Sequence, residues 1–158
     1  MLEANFLKKE VVKKLEIPQR TLHFWIQRGL ITPDFARARG RGIPMMFSKR
    51  NLVEIRMLQI LQEKCLLPLE TIAVILQGLR KYRNVPEDFF SNPEWGEERE
   101  YLFYQQSPPR GPWAFSPAYK NKYGQFDFSF DAAIKQGRVF IIVTLGKVKN
   151  QALSSLGF

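Results

Sequence analysis

Cysteine and histidine each occur once in this 158-residue chain, as Cys65 and His23. A single cysteine excludes an internal disulfide, and one imidazole beside one thiol gives no ligand cluster for zinc or copper. No apolar run approaches the roughly 18 residues that a membrane span needs. The opening MLEANFLKKEVV has no signal-peptide core, so a cytoplasmic protein with no cofactor is expected. No nucleophile stands beside a base and no glycine loop is built for phosphates, so the chain does not read as an enzyme. Glu97, Glu98, Glu100, Asp127 and Asp131 have no histidine or metal pattern near them and read as solvated carboxylates. Cys65 follows an apolar stretch and reads as a small core residue.

Negative charge is scarce in the first half. Residues 1–83 hold 16 Lys and Arg against 7 Asp and Glu, whereas residues 84–158 hold 8 of each. The whole excess of +9 therefore sits on the amino-terminal half and points to an anionic partner there. Part of it, at Lys8, Lys9, Lys13 and Lys14, also suits a merely solvated helix face. Arg37, Arg39 and Arg41 are different. They lie in a loop loosened by Gly40 and Gly42, with only Asp34 nearby to pair them, and guanidinium forks suit phosphates and base edges.

Apolar spacing predicts a first helix over Lys8–Leu15, with Val11, Val12 and Leu15 on one side. Glu16-Ile17 makes the turn into a second helix over Gln19–Arg28. Pro18 suits its first turn, and Gly29 suits the left-handed position past its end. Leu22, Trp25 and Ile26 then face inward, leaving Gln19, Arg20, His23, Phe24 and Gln27 outward. A helix-turn-helix sets the start of its second helix against base edges, where glutamine pairs with adenine and arginine with guanine. Ser48 is a candidate N-cap for a third helix running to about Lys64. Its two stripes, Leu52, Ile55, Leu58, Leu61 and Val53, Met57, Ile60, cover so wide an arc that it must touch two partners. One is the small N-terminal core; the other is the C-terminal region or a second subunit. Pro68 starts a fourth helix, Leu69–Leu79, with Leu69, Ile72, Ala73, Ile75 and Leu76 inward.

In order and spacing, EVVKKLEIPQRTLHFWIQRGLI, the Arg/Gly loop, FSKRNLVEIRMLQIL and LPLETIAVIL resemble the DNA-binding domain of the MerR family of bacterial transcription regulators. The resemblance covers Lys9–Leu79. It implies a winged helix-turn-helix that sets Arg20, His23 and Phe24 toward DNA and keeps Leu22 and Trp25 in the core. It also implies a nucleoid-bound homodimer on a near-palindromic promoter, distorted between half-sites, with RNA polymerase as a further partner. Several positions depart from the family pattern. His23 stands where an arginine is usual, which makes a weaker, pH-dependent phosphate contact. Ile26 replaces a glutamate, and Phe24 lacks the hydroxyl of the usual tyrosine. Ile43-Pro44-Met45-Met46-Phe47 replaces a Tyr-Arg-x-Tyr ending of the wing. The long coiled-coil dimer helix of the family has no counterpart, since no heptads follow Leu79.

The expected division is a DNA-binding domain over 1–79, a linker over 80–93 and a small aromatic-rich region over 94–158. The class is α+β: a mainly α winged helix-turn-helix followed by a small α/β region. YLFYQ reads as a strand and SPPRGPWAFSP as a loop. Gln125–Phe130 and Arg138–Thr144 read as strands, the latter buried on both faces, and a helix capped by Thr144 runs over Leu145–Leu156. Residues 84–158 hold 15 of the 21 aromatics. These suit either the core of a small unit, extended into a dimer contact, or an effector pocket; Trp95 and Trp113, in Pro/Gly-containing loops, are the candidates for an effector or interface role. The expected function is a DNA-binding regulator with double-stranded DNA as partner. An effector-free architectural or excisionase-like bending factor, or a protein-interaction adaptor, are the alternatives.

Overall fold

A computed structural model describes residues 5–34, 44–81, 89–90, 99–105, 113–119, 140–143 and 145–158. The first unit is β1 (Phe6–Leu7), α1 (Lys8–Leu15) and α2 (Gln19–Gln27). After residues 35–43, which lie outside the described residues, come β2 (Met46–Phe47), α3 (Lys49–Glu63) and α4 (Leu69–Lys81). β1 pairs antiparallel with β2, Phe6 opposite Phe47 and Leu7 opposite Met46. This ribbon ties the segment before α1 to the segment that follows residues 35–43. A second antiparallel sheet, β4 (Trp113–Tyr119), β3 (Arg99–Gln105) and β5 (Phe140–Val143) in that order, precedes α5 (Leu145–Leu156).

α3 is the spine. Ten of its fifteen residues are buried, including both predicted apolar stripes. The sequence left its second partner open between a C-terminal element and another subunit; in the structure it is α5, which packs along α3. Leu145, Val148, Ala152, Leu153 and Leu156 of α5 join the same buried cluster as Val11, Leu22 and Trp25. Polar ties reinforce the packing: Arg56 Nε donates to Ser155 Oγ at 3.0 Å, and Gln59 Nε2 donates to the Leu15 carbonyl at 3.2 Å.

The helix ends follow local chemistry. Ser48 caps α3, accepting from Asn51 N–H at 3.2 Å, while Asn51 Oδ1 accepts from Ser48 N–H at 3.2 Å. This is a reciprocal capping box with asparagine in the acidic position. α2 ends in a Schellman turn: Leu30 N–H reaches the Trp25 carbonyl at 2.9 Å and Gly29 N–H the Ile26 carbonyl at 3.0 Å. Gly29 sits at φ 69°, where a side chain is strained. Pro18 is shifted from its expected place. It is the N-cap of α2, extended at ψ 138°, and its carbonyl accepts from Thr21 and Leu22 N–H.

Three further readings are corrected. Cys65 is exposed rather than in the core, because α3 ends at Glu63 and the chain turns outward through Leu66, itself 82% exposed at φ 53°. The stretch WAFSP is not loop but most of β4; among the described residues β4 is the outer strand beside β3, a place that tolerates Pro117. Arg80 lies within α4, which runs two residues beyond Leu79. Phe89 and Phe90 are buried and meet edge to face with ring centroids 5.2 Å apart. The expected strand Gln125–Phe130 and the cap at Thr144 lie outside the described residues.

Glu54 on α3 has no exposed side-chain surface and pairs with Arg80 at 2.5 Å and Arg50 at 3.3 Å. Burial opposes the Arg80 charge, but the hydrogen bond and charge of Glu54, with Asp34 adding to them, raise its pKa above the usual arginine value. Removing one partner of such a pair strands a buried charge. Arg80→Ala should destabilise the fold by about 3 kcal/mol, with Arg50 limiting the loss, and Glu54→Met with Arg80→Leu should recover most of it. Leu153→Ala should cost about 2–5 kcal/mol. If the core is continuous, thermal unfolding of that variant stays a single transition shifted downward rather than splitting in two.

Candidate nucleic-acid interface

The two faces of α2 are sorted by what the rest of the fold can accept. Leu22 and Trp25 are buried and Ile26 is half-buried, which commits that side to the core. Gln19, Arg20, His23, Phe24 and Gln27 are all exposed, as the sequence placed them. With Lys8 from the start of α1, residues Gln19, Arg20 and His23 line an open concavity of about 470 Å³. One arginine, one lysine, an amide and an imidazole around a shallow depression offer donors and positive charge to an anionic backbone and amide chemistry to base edges. Pro18 contributes no side-chain cap to α2; its carbonyl takes the Thr21 and Leu22 amides.

Two side chains outside the sequence-derived set belong to this surface. Lys8, at the first position of α1 directly after β1, lines the same concavity as Arg20. Arg28 follows the last residue of α2, and its guanidinium carbon lies 5.3 Å from the Phe24 ring centroid, within cation–π range. Phe24, 40% exposed, and Arg28 also border a smaller cavity of about 160 Å³ with Leu30, Leu69, Glu70 and Ala73, between the end of α2 and the start of α4. Lys14 is used differently: its ammonium and that of Lys49 lie 5.2 and 4.3 Å from the Phe158 ring centroid, so it helps hold Phe158 against α1 and α3.

Arg37, Arg39 and Arg41 lie outside the described residues, but both flanks of their loop are described. Asp34, the one carboxylate the sequence offered as their partner, accepts a hydrogen bond from Ser48 Oγ. Trp95 also lies outside the described residues. Trp113 opens β4 opposite Gln105, and its side chain is outside what the structure describes. Among the described residues no group of three or more His, Cys, Asp or Glu could hold a metal ion, and no helix is long and apolar enough to cross a membrane.

A search of the curated proteins finds no match for the chain. The family model described as the MerR HTH family regulatory protein matches residues 8–79, which spans α1 through most of α4 and includes every outward residue of α2. On that match, residues 8–79 are a helix-turn-helix domain of the MerR family.

Proposed function

We propose that this protein is a transcription regulator that lays α2 in the major groove of duplex DNA and grips the flanking backbone with the loop bearing Arg37, Arg39 and Arg41. The observation that carries this reading is the exposed face on which Gln19, Arg20, His23 and Gln27 gather beside Lys8, opposite a face that packs Leu22 and Trp25 into the core. The net charge of residues 1–83 supplies the long-range attraction. Phe24 adds apolar contact in place of a hydroxyl. The division into a DNA-binding part (1–79), a connection (80–93) and a C-terminal part (94–158) with an effector or oligomerising role is one of function, since α5 of the last shares its core with α3 of the first.

Recognition of a symmetric promoter requires two copies of α2. The coiled-coil helix that usually joins the copies is absent from the sequence after Leu79, and α5 is already packed on α3. Pairing would therefore run through the C-terminal part, where Trp95 and Trp113 are the candidate contacts; RNA polymerase would meet the DNA-bound dimer. Selection from random-sequence duplexes with the purified chain should enrich a two-fold symmetric motif if this is right. An asymmetric motif would count against the dimer, and no enrichment against DNA reading altogether.

Base reading and backbone grip separate in their salt dependence. Each phosphate neutralised contributes about −0.9 to the slope of log affinity against log salt. Arg41→Ala should weaken binding to all sequences and shallow the slope; an unchanged slope would remove the wing from the model of binding. Gln19→Ala or Arg20→Ala should instead cost roughly 1–3 kcal/mol on the selected site, where the lost contact is bidentate, and little on unrelated DNA.

A further inference from the structure

The flanks of the Arg/Gly loop are held by one polar cluster. Before the loop, the Thr32 carbonyl accepts from Asn51 Nδ2 at 3.0 Å, and Asp34 N–H donates to Asn51 Oδ1 at 2.8 Å. After the loop, Ser48 N–H donates to the same Oδ1 at 3.2 Å, and Ser48 Oγ donates to the Asp34 carboxylate. One amide side chain therefore touches both chain segments between which residues 35–43 run. Asn51 has no exposed surface and Ser48 only 1%, so these bonds face little competition from water. Asn51 Nδ2 also donates to Glu54 Oε2 at 3.3 Å, and Glu54 is clamped by Arg80 and Arg50. The clasp is thus anchored to the middle of α3 and the end of α4.

A helix cap needs only the Ser48–Asn51 exchange. The bonds from Asn51 to Thr32 and Asp34, and from Ser48 to Asp34, go beyond it, reaching 14 to 19 residues back across the loop. Their shared geometric effect is to fix the separation and direction of the loop ends. Of these bonds only that from Ser48 Oγ reaches the Asp34 carboxylate; Asn51 Oδ1 accepts from the Asp34 backbone N–H.

We infer that Asn51 and Ser48 are positioning residues for the basic wing: they set the base from which the three arginines reach DNA. This rests on the wing reading above. Loss of the clasp then frees the loop ends and lets the arginines disengage together, although neither residue touches DNA.

A purely structural role and a positioning role give different readouts. Partial unfolding lowers the fraction of active protein and shifts log affinity uniformly, with the salt slope unchanged. Loss of wing contacts shallows the slope by about 0.9 for each phosphate released. The test measures affinity against salt for the full chain on a labelled random-sequence duplex, with a thermal melt for every variant. Ser48→Ala and Asn51→Ala should both shallow the slope toward that of the Arg37, Arg39 and Arg41 triple alanine variant. Added to the triple variant, either should change the slope no further. Ser48→Thr, which keeps the hydroxyl, should restore the original slope. Should Asn51→Ala fold poorly, Ser48→Ala and its threonine rescue carry the test by themselves. Wild-type slopes in folded Ser48→Ala overturn the inference while leaving the wing in place. A triple variant that itself keeps the wild-type slope overturns both.

Discussion

A carboxylate without exposed surface, Glu54, sits near the middle of α3 and is neutralised from two sides, by Arg80 of α4 and by Arg50 one turn earlier. An ionised group in that position is tolerable only while its partners stay in place, so the pair dictates the relation of α3 to α4. Apolar packing alone is permissive about rotation and sliding between helices; a buried charge is not. From Glu54 the constraint passes through Asn51 to the ends of the Arg/Gly loop, and through Arg50, whose guanidinium carbon lies 4.9 Å from the Phe90 ring centroid, toward the segment that follows α4. The elements that frame the proposed DNA surface and those leading to the C-terminal part thus meet at one ionic centre.

The second constraint is the saturation of α3. A helix buried over most of its circumference cannot present a surface of its own. It serves as a shared wall, with α1, α4 and β2 among its contacts and α5 packed along it. That arrangement leaves the polar face of α2 open, as it does that of α1. The α2 face is chemically mixed rather than uniformly charged, as a reader of bases needs, while the surplus of lysine and arginine around it supplies attraction without sequence preference.

Much of the N-terminal half was legible because its signals are local. The α1 range, the outward face of α2, the Gly29 stop and the Ser48 cap all follow from spacing, from φ preferences or from one side chain bonding its neighbouring backbone, and in the other half the α5 range follows from spacing as well. The resemblance to the MerR domain rests on the same local features, and the family match over residues 8–79 agrees with it. The C-terminal half was less legible. Proline and glycine around WAFSP read as loop, yet an outer strand accommodates a proline that a central one would not. Cys65 was misplaced because it follows an apolar run that ends one turn earlier, at Leu61.

What the amino-acid sequence determined by itself was the set of helices, their inward stripes and the segregation of positive charge, since each depends on residues within a turn or two of one another. Tertiary structure alone decided which element covers the second stripe of α3, that Arg80 neutralises a buried glutamate 26 positions away, and that Asn51 reaches back to Thr32 and Asp34. Those choices depend on distances between segments remote in sequence. A charged or amide side chain reads as surface until the fold brings the one partner that makes its burial affordable.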